Sequence, residues 1–216
     1  MLTVSSDGAE LSRLASSLLT GRRRILGIAG APGAGKSVLA MALVRQIGSG
    51  AAYLPMDGFH LADVELTRQG LLDRKGAPET FDAWGYAALL DRVRSGTSYP
   101  VYAPGFERDL EQPIAGSIAI APDAEVIITE GNYLQLDRPE WRAVRSQLDE
   151  VWYVFSDERL RRARLLARHV AFGKSQDEAQ AWIDRVDEPN ARLVGVKRNT
   201  ADRVIDLTAW KSAAPV

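Results

Sequence analysis

The chain has 216 residues, a net charge of −1, and 46% hydrophobic and 25% charged residues, which suits one packed globular domain. This charge gives no electrostatic reason to expect nucleic acid or a membrane as the main partner. The lack of cysteine excludes disulfides and cysteine-ligated zinc and fits the cytoplasm, and two histidines are too few for a multi-histidine metal site. No stretch has the pattern of a signal peptide or a membrane span.

The first half of the chain alternates between strand and helix patterns. Apolar residues at helical spacing predict a helix over residues 7–20, before a buried strand at 24–29. A second strand, 51–56, ends at Asp57, and the polar residues 61–80 are predicted to be irregular. A helix is expected over residues 82–93.

The second half continues this alternation after one interruption. Two proline-containing extended runs predict a hairpin-like excursion over the crevice at about 99–120. The remaining segments comprise strands at 124–130, 150–155 and 202–207, helices at 139–148, 157–172 and 176–187, and a frayed terminus at 212–216. Alternating strands and helices predict one α/β domain over residues 1–216, with a parallel sheet covered by helices on both faces.

The stretch between the first strand and its helix matches Gly-x-x-x-x-Gly-Lys-Ser, a phosphate-binding loop. Its glycines let backbone N–H groups surround an anion, the lysine charge lies on the outer phosphates, and the serine hydroxyl binds Mg²⁺. A glycine-rich turn without a ligand is the alternative, which the strand–loop–helix context disfavours. The residues expected to contact ATP are Gly30, Gly33, Ala34, Gly35, Lys36, Ser37 and Val38.

Two acids follow predicted strands, Asp57 and Glu130, so both are expected to face the crevice at the carboxyl ends of the strands. One can help to hold Mg²⁺ with Ser37, and the other can accept a hydroxyl proton. Residue patterns alone do not assign these two roles. Each acid taken alone could instead cap the helix that follows it.

Three arginines at helical spacing, Arg161, Arg164 and Arg168, lie on one face of the helix predicted at 157–172. Turned toward the crevice, they would stabilise charge on a transferred phosphoryl group. The alternative is an ordinary solvated basic face.

Other polar and aromatic residues are candidates for binding a substrate. His60 follows Asp57 closely enough to touch an acceptor hydroxyl, although a purely structural histidine is an equal alternative. Tyr102 and Arg108 of the excursion are predicted to line the substrate pocket, unless the aromatic residue belongs to a small apolar cluster.

Taken together, the phosphate loop, Asp57-Gly58-Phe59-His60, Gly76–Asp82, Glu130-Gly131-Asn132-Tyr133-Leu134 and the basic helix ending in Arg168-His169 resemble one family. It is the phosphoribulokinase/uridine kinase/type I pantothenate kinase superfamily. The branch most similar is that of bacterial uridine-kinase-like proteins labelled as fructose-transport-associated kinases or fructokinases.

This resemblance implies a three-layer P-loop NTPase fold, with a five-stranded parallel sheet in the order 2-3-1-4-5 and a helical lid at about 157–187. It also implies Asp57 as the base, Glu130 as the carboxylate near Mg²⁺, and Arg164 and Arg168 as lid cations. The chain departs from the uridine kinases in the substrate region, and it lacks the longer substrate segments of pantothenate kinases.

We therefore predict a cytoplasmic ATP- and Mg²⁺-dependent kinase that phosphorylates a hydroxyl of a small metabolite. A sugar such as fructose ranks first, a nucleoside second and pantothenate third, while Arg108 would favour a sugar acid or a sugar phosphate. The rival classes are a nucleotide-gated regulatory ATPase without an acceptor and a fold member that only binds nucleotide. The oligomeric state stays open, a homodimer included.

Overall fold

The computed structural model describes residues 2–3 and 9–210, and a parallel β-sheet runs through its centre. Within these residues the strands are β1 (Leu2–Thr3), β2 (Arg24–Ala29), β3 (Ala51–Pro55), β4 (Val101–Glu107), β5 (Gln112–Ile120), β6 (Val126–Gly131), β7 (Glu150–Phe155) and β8 (Arg203–Asp206). The central sheet has the order β1-β8-β7-β2-β6-β3, and each neighbouring pair is parallel. Numbered by the five predicted strands, this order is 2-3-1-4-5, so the predicted fold class is confirmed. The two-residue strand β1 is an edge strand that the sequence patterns did not predict.

Helices cover both faces of this sheet. They are α1 (Ala9–Leu18), α2 (Lys36–Ile47), α3 (Asp63–Gln69), α4 (Ala83–Ser95), α5 (Pro139–Ser146), α6 (Glu158–Ala171), α7 (Gln176–Trp182) and α8 (Glu188–Gly195). One turn of π-helix, Ile183–Asp187, joins α7 to α8. No helix of the described ranges is long and apolar enough to cross a membrane.

Most predicted helices are present, and the differences have local causes. The stretch 61–80 was wrongly predicted to be irregular, because α3 is seven residues long and buries only Leu66, which is too little periodicity to recognise. The helix predicted at 176–187 continues through the π turn to residue 195. Residues 7–8 of the first predicted helix, and the terminus 212–216, lie outside the described residues.

Two apolar layers hold the helices against the sheet. On one face, Tyr86 and Leu90 of α4 and Trp141 of α5 pack over Ile25 and Ile127. The layer on the opposite face is formed by buried side chains of α1, α2 and alternate strand residues, including Leu14, Leu18, Leu39, Leu43, Leu26 and Ile128. Burying a large apolar side chain contributes about 1.5–3 kcal/mol, so these two layers contribute much of the stability of the fold.

Strands β4 and β5 form a separate antiparallel hairpin, at the position where the sequence suggested an excursion. It packs on the turn Met56–Phe59 that follows β3. A Cβ added to Gly58 would lie 2.1 Å from the Pro104 carbonyl oxygen, so the hairpin backbone rests directly on that glycine. This contact brings the hairpin beside the carboxyl ends of the central strands.

Candidate active site

The loop between β2 and α2 has the backbone of an anion-binding loop. Gly33 and Gly35 adopt φ values of 78° and 102°, in the left-handed region that favours glycine. A Cβ at Gly33 would also lie 2.9 Å from the Arg161 carbonyl oxygen. No side chain caps the N-terminus of α2, so its first N–H groups and its positive dipole end are available to a phosphate.

Lys36 begins α2 and lies almost buried at the base of this loop. Its Nζ donates to Asn132 Oδ1 at 2.6 Å and to the Ala31 carbonyl oxygen at 3.1 Å. Burial lowers the pKa of Lys36, while the nearby carboxylates of Glu130 and Asp57 act in the opposite direction. An anion bound in the loop would therefore favour the charged lysine that neutralises it.

Glu130, at the end of β6, is held by two hydroxyl donors. Ser37 Oγ and Tyr53 Oη both bond its Oε1, at 3.0 and 2.7 Å. Burial raises the pKa of Glu130, with the Lys36 charge opposing that shift. When the Ser37 hydroxyl donates its hydrogen to Glu130, its oxygen lone pairs remain available. This hydroxyl and carboxylate set fits Mg²⁺, a hard cation that prefers oxygen ligands and shares them with substrate phosphates.

Asp57 lies in the turn after β3, where it forms an ion pair with Arg108 from the hairpin. Burial opposes its ionisation, but the charge and the hydrogen bond of Arg108, together with the charge of Lys36, hold the pKa of Asp57 below its usual range. His60 Nδ1 lies 2.9 Å from the Asp57 backbone carbonyl oxygen, and burial lowers the pKa of this histidine. Asp57 is thus ionised at neutral pH and His60 is neutral.

These groups line one cavity of about 320 Å³. It is lined by the predicted residues Lys36, Ser37, Asp57, His60, Arg108, Glu130 and Arg168. The rings of Phe81 and Phe106 flank His60, with centroids 4.0 and 4.9 Å from the imidazole. The phosphate loop and a carboxylate able to accept a proton therefore open into the same space.

Of the predicted catalytic and substrate-binding residues, two lie outside the cavity lining, as do the predicted loop residues Gly30, Gly33, Ala34, Gly35 and Val38. Tyr102 is 61% exposed, because the alternation of β4 buries Val101 and Ala103 on the opposite face of the hairpin. Arg164 instead approaches the phosphate loop, with Nη1 3.8 Å from the position of a Cβ on Gly35. Burial alone lowers the pKa of Arg164, and no described carboxylate forms an ion pair with it.

Arg161 differs from the other two arginines of α6. Its side chain is buried, bonds the Pro32 carbonyl oxygen at 3.1 Å and pairs with Glu158 and Glu188. The three arginines therefore do not share one open face, whether toward the crevice or toward solvent, because Arg161 and Leu165 form the buried side of α6. Arg161 ties this helix to the phosphate loop instead of meeting a substrate.

Sequence reasoning missed two residues that orient the site. Tyr53 was noted only as part of a strand, yet it holds Glu130 from the neighbouring strand β3. Asn132 was part of the quoted Glu-Gly-Asn motif, but its bond to Lys36 could not be anticipated. Neither contact has a signal in spacing, since each joins residues far apart in the chain.

The geometry defines the class of protein. A strand, a Gly-x-x-x-x-Gly-Lys-Ser loop and a helix, with acids at the ends of two neighbouring strands, make this a P-loop nucleotide-binding protein.

Comparison with known proteins identifies the family, although no protein-family model matches the chain. The "Putative uridine kinase C227.14" of Schizosaccharomyces pombe is 34% identical over 215 residues, 94% of this chain and 92% of that protein. A solved structure described as a "putative fructose transport system kinase from Silicibacter sp. TM1040" is 35% identical, with a TM-score of 0.80 over 90% of this chain and 98% of that chain. The pantothenate kinase of Latilactobacillus sakei is 32% identical over 136 residues, 60% of this chain and 44% of that protein.

The chain belongs to the phosphoribulokinase/uridine kinase/type I pantothenate kinase superfamily, as its motifs predicted. It is accordingly an ATP-dependent phosphotransferase.

Proposed function

We propose that the protein transfers the γ-phosphoryl group of ATP to a hydroxyl of a small polyhydroxy metabolite, with sugars ranked first. The observation that carries this proposal is the shared cavity, in which the phosphate loop faces Asp57, His60 and Arg108. The fructose-transport description of one similar structure supports the ranking of a sugar. A nucleoside and pantothenate follow, in agreement with the names of two other relatives.

Each residue has a role that its position supports. Lys36 and the N–H groups of the loop bind the β- and γ-phosphates, and Ser37 with Glu130 would hold Mg²⁺, which neutralises phosphate charge when bound. Asp57 accepts the proton of the acceptor hydroxyl as its oxygen bonds to the γ-phosphorus. The bond from the γ-phosphorus to the oxygen shared with the β-phosphate breaks, and ADP leaves. Arg164 and Arg168 stabilise the charge on the moving phosphoryl group.

Movement of α6 to α8 would make these helices a lid over the reaction. Arg168, Phe172 and Trp182 of this segment already line the cavity. Closing them over bound ATP and acceptor would exclude water and limit wasteful hydrolysis.

The rival function is a nucleotide-gated ATPase without a small-molecule acceptor. Such a switch has no need of a second, ionised carboxylate beside the phosphate loop, or of aromatic rings around it. The presence of Asp57, His60 and Phe106 in the cavity therefore favours a kinase.

ADP release separates these functions when it is measured with ATP and Mg²⁺, alone and with fructose, uridine or pantothenate. A kinase shows turnover that rises sharply with an acceptor and falls at least about 100-fold in Lys36→Ala, which loses a charge on the phosphates. Arg22→Ala, at an exposed turn, is the control and should behave as the parent protein. ADP release that requires Lys36 but responds to no acceptor would favour the switch.

A further inference from the structure

The guanidinium of Arg108 forms an ion pair with the carboxylate of Asp57, which the proposed reaction needs as its base. Its Nη2 donates to Asp57 Oδ2, and the two side chains are 41% and 29% exposed. An acceptor hydroxyl has to donate a hydrogen bond to this same carboxylate before its proton can be transferred. Arg108 and the acceptor therefore compete for Asp57.

Two contacts of the hairpin hold Arg108 beside Asp57. The hairpin that carries Arg108 rests on Gly58, the residue next to Asp57, through the close approach of the Pro104 carbonyl group. The guanidinium carbon lies 4.7 Å from the centre of the Phe106 ring, a cation–π arrangement that orients Arg108. These two contacts keep the guanidinium of Arg108 beside Asp57.

Among the described carboxylates, only Asp57 forms an ion pair with Arg108, although the negative charges of Glu111 and Glu130 also favour the charged guanidinium. Asp63 accepts a bond from Lys75 at 2.6 Å, and the backbone carbonyl of Glu111 binds the same ammonium group. A guanidinium that loses its partner in a partly buried site is destabilised, and a neutral hydroxyl replaces a carboxylate poorly. A carboxylate or phosphate group on the acceptor exchanges one charge-assisted bond for another and can bind the guanidinium through two parallel bonds.

The lid side of the cavity adds further positive charge. Arg168 and Lys174 both line it, and neither forms an ion pair with a described acid. The γ-phosphate of ATP accounts for one such cation in the proposed reaction. A second cation at the cavity wall is compatible with an acceptor that is itself an anion.

We propose, building on the kinase function above, that the acceptor is a polyhydroxy compound with an anionic group that draws Arg108 away from Asp57. Arg108 is then a specificity-determining residue with two effects. It binds the carboxylate or phosphate of the acceptor, and it keeps Asp57 engaged when only water is available. Hydrolysis of ATP is suppressed for that reason until the matching acceptor binds.

Matched pairs of acceptors test this proposal through kcat/KM for ADP release. Gluconate is compared with sorbitol, and fructose 6-phosphate with fructose, so that the pairs distinguish a carboxylate from a phosphate. The anionic member of one pair should be preferred by at least tenfold. Arg108→Gln should remove most of that preference through KM, and Arg108→Lys should retain part of it because the charge remains.

ATP hydrolysis without any acceptor is the second measurement, and it needs no knowledge of the acceptor. Arg108→Gln should raise it about threefold or more, since Asp57 is free to orient water. Arg22→Gln is the matched control and should change neither hydrolysis nor the preference for anions. A melting temperature for each variant shows that it is folded.

Two results would overturn the inference while leaving the kinase function in place. One is a neutral acceptor preferred over its anionic partner, with a KM that Arg108→Gln does not change. The other is hydrolysis in Arg108→Gln equal to that of the parent protein. A failure of the kinase function is distinct, because then no acceptor raises ADP release in any variant.

Discussion

Replacing Gly58 with alanine tests the packing that joins the hairpin to the acceptor side of the site. The new Cβ would lie 2.1 Å from the Pro104 carbonyl oxygen and 2.7 Å from its carbon, and both are backbone atoms that no rotamer change can move. Overpacking of this kind costs about 1–3 kcal/mol. For a chain of this length, that corresponds to a melting temperature lower by about 2–12 °C.

The displaced hairpin should also carry Arg108 away from Asp57. We therefore expect KM for the acceptor to rise in Gly58→Ala, with little change in KM for ATP, whose loop lies elsewhere. Gly195→Ala is the matched control, because nothing lies within 4 Å of its added Cβ and alanine favours the helix. Thermal melts and initial rates are measured for both. A Gly58→Ala protein as stable as the parent would refute the reasoning.

The remaining predictions concern the acids and their partners. Asp57→Asn should leave the Kd for Mg·ATP within twofold and lower phosphoryl transfer at least about 100-fold, because an amide cannot accept the proton; nucleotide titration and ADP release measure these. Glu130→Gln should weaken the Mg²⁺-dependent part of ATP binding in the same titration. Tyr53→Phe, which removes a donor to Glu130, should raise the Mg²⁺ concentration for half-maximal rate about tenfold. Asp149 accepts hydrogen bonds from Arg94 and from the Ile25 N–H group, and these bonds outweigh burial and lower the pKa of Asp149. The ionised Asp149 therefore stabilises the folded protein above about pH 4, and this contribution is lost as the pH falls further. Asp149→Asn should therefore lower the free energy of unfolding by about 1 kcal/mol at pH 7 and by less at pH 3, by urea denaturation.

Conservative changes at exposed residues serve as controls for these variants. Asp91 on α4 is exposed and Tyr99 is 53% exposed. Asp91→Asn and Tyr99→Phe should therefore leave ATP binding, the rate of ADP release and its Mg²⁺ dependence unchanged. If Asp57→Asn removes Mg·ATP binding while Glu130→Gln does not, the two acids have exchanged roles. An unchanged Mg²⁺ dependence in Tyr53→Phe would show that its hydroxyl does not orient Glu130. Parallel unfolding curves of Asp149→Asn and the parent protein across pH would contradict the predicted linkage.

Local patterns were sufficient for the framework of the protein. The Gly-x-x-x-x-Gly-Lys-Ser pattern occupies eight consecutive residues, and its strand and helix adjoin it directly, so a short window contains the whole signal. Buried parallel strands are continuous apolar runs, which made β2, β6 and β7 recognisable. Motif resemblance then supplied the strand order, which spacing alone does not determine.

Sequence patterns predicted the site less well where a side chain could point to more than one face of its helix or strand. Arg161, Arg164 and Arg168 look equivalent on a helical projection, but only packing against the phosphate loop shows that Arg161 is buried. Tyr102 and Arg108 belong to the same hairpin, and the pleat of β4 exposes the first while the turn brings the second to Asp57.

By itself, then, the sequence determined the phosphate loop, the strand-end acids and the parallel α/β framework, because each depends on neighbours in the chain. Only the tertiary structure decided which groups these residues meet. The bonds from Tyr53 to Glu130, from Lys36 to Asn132 and from Arg108 to Asp57 join positions 77, 96 and 51 residues apart. Contacts over such separations follow from how the strands and the hairpin pack, and no local periodicity encodes them.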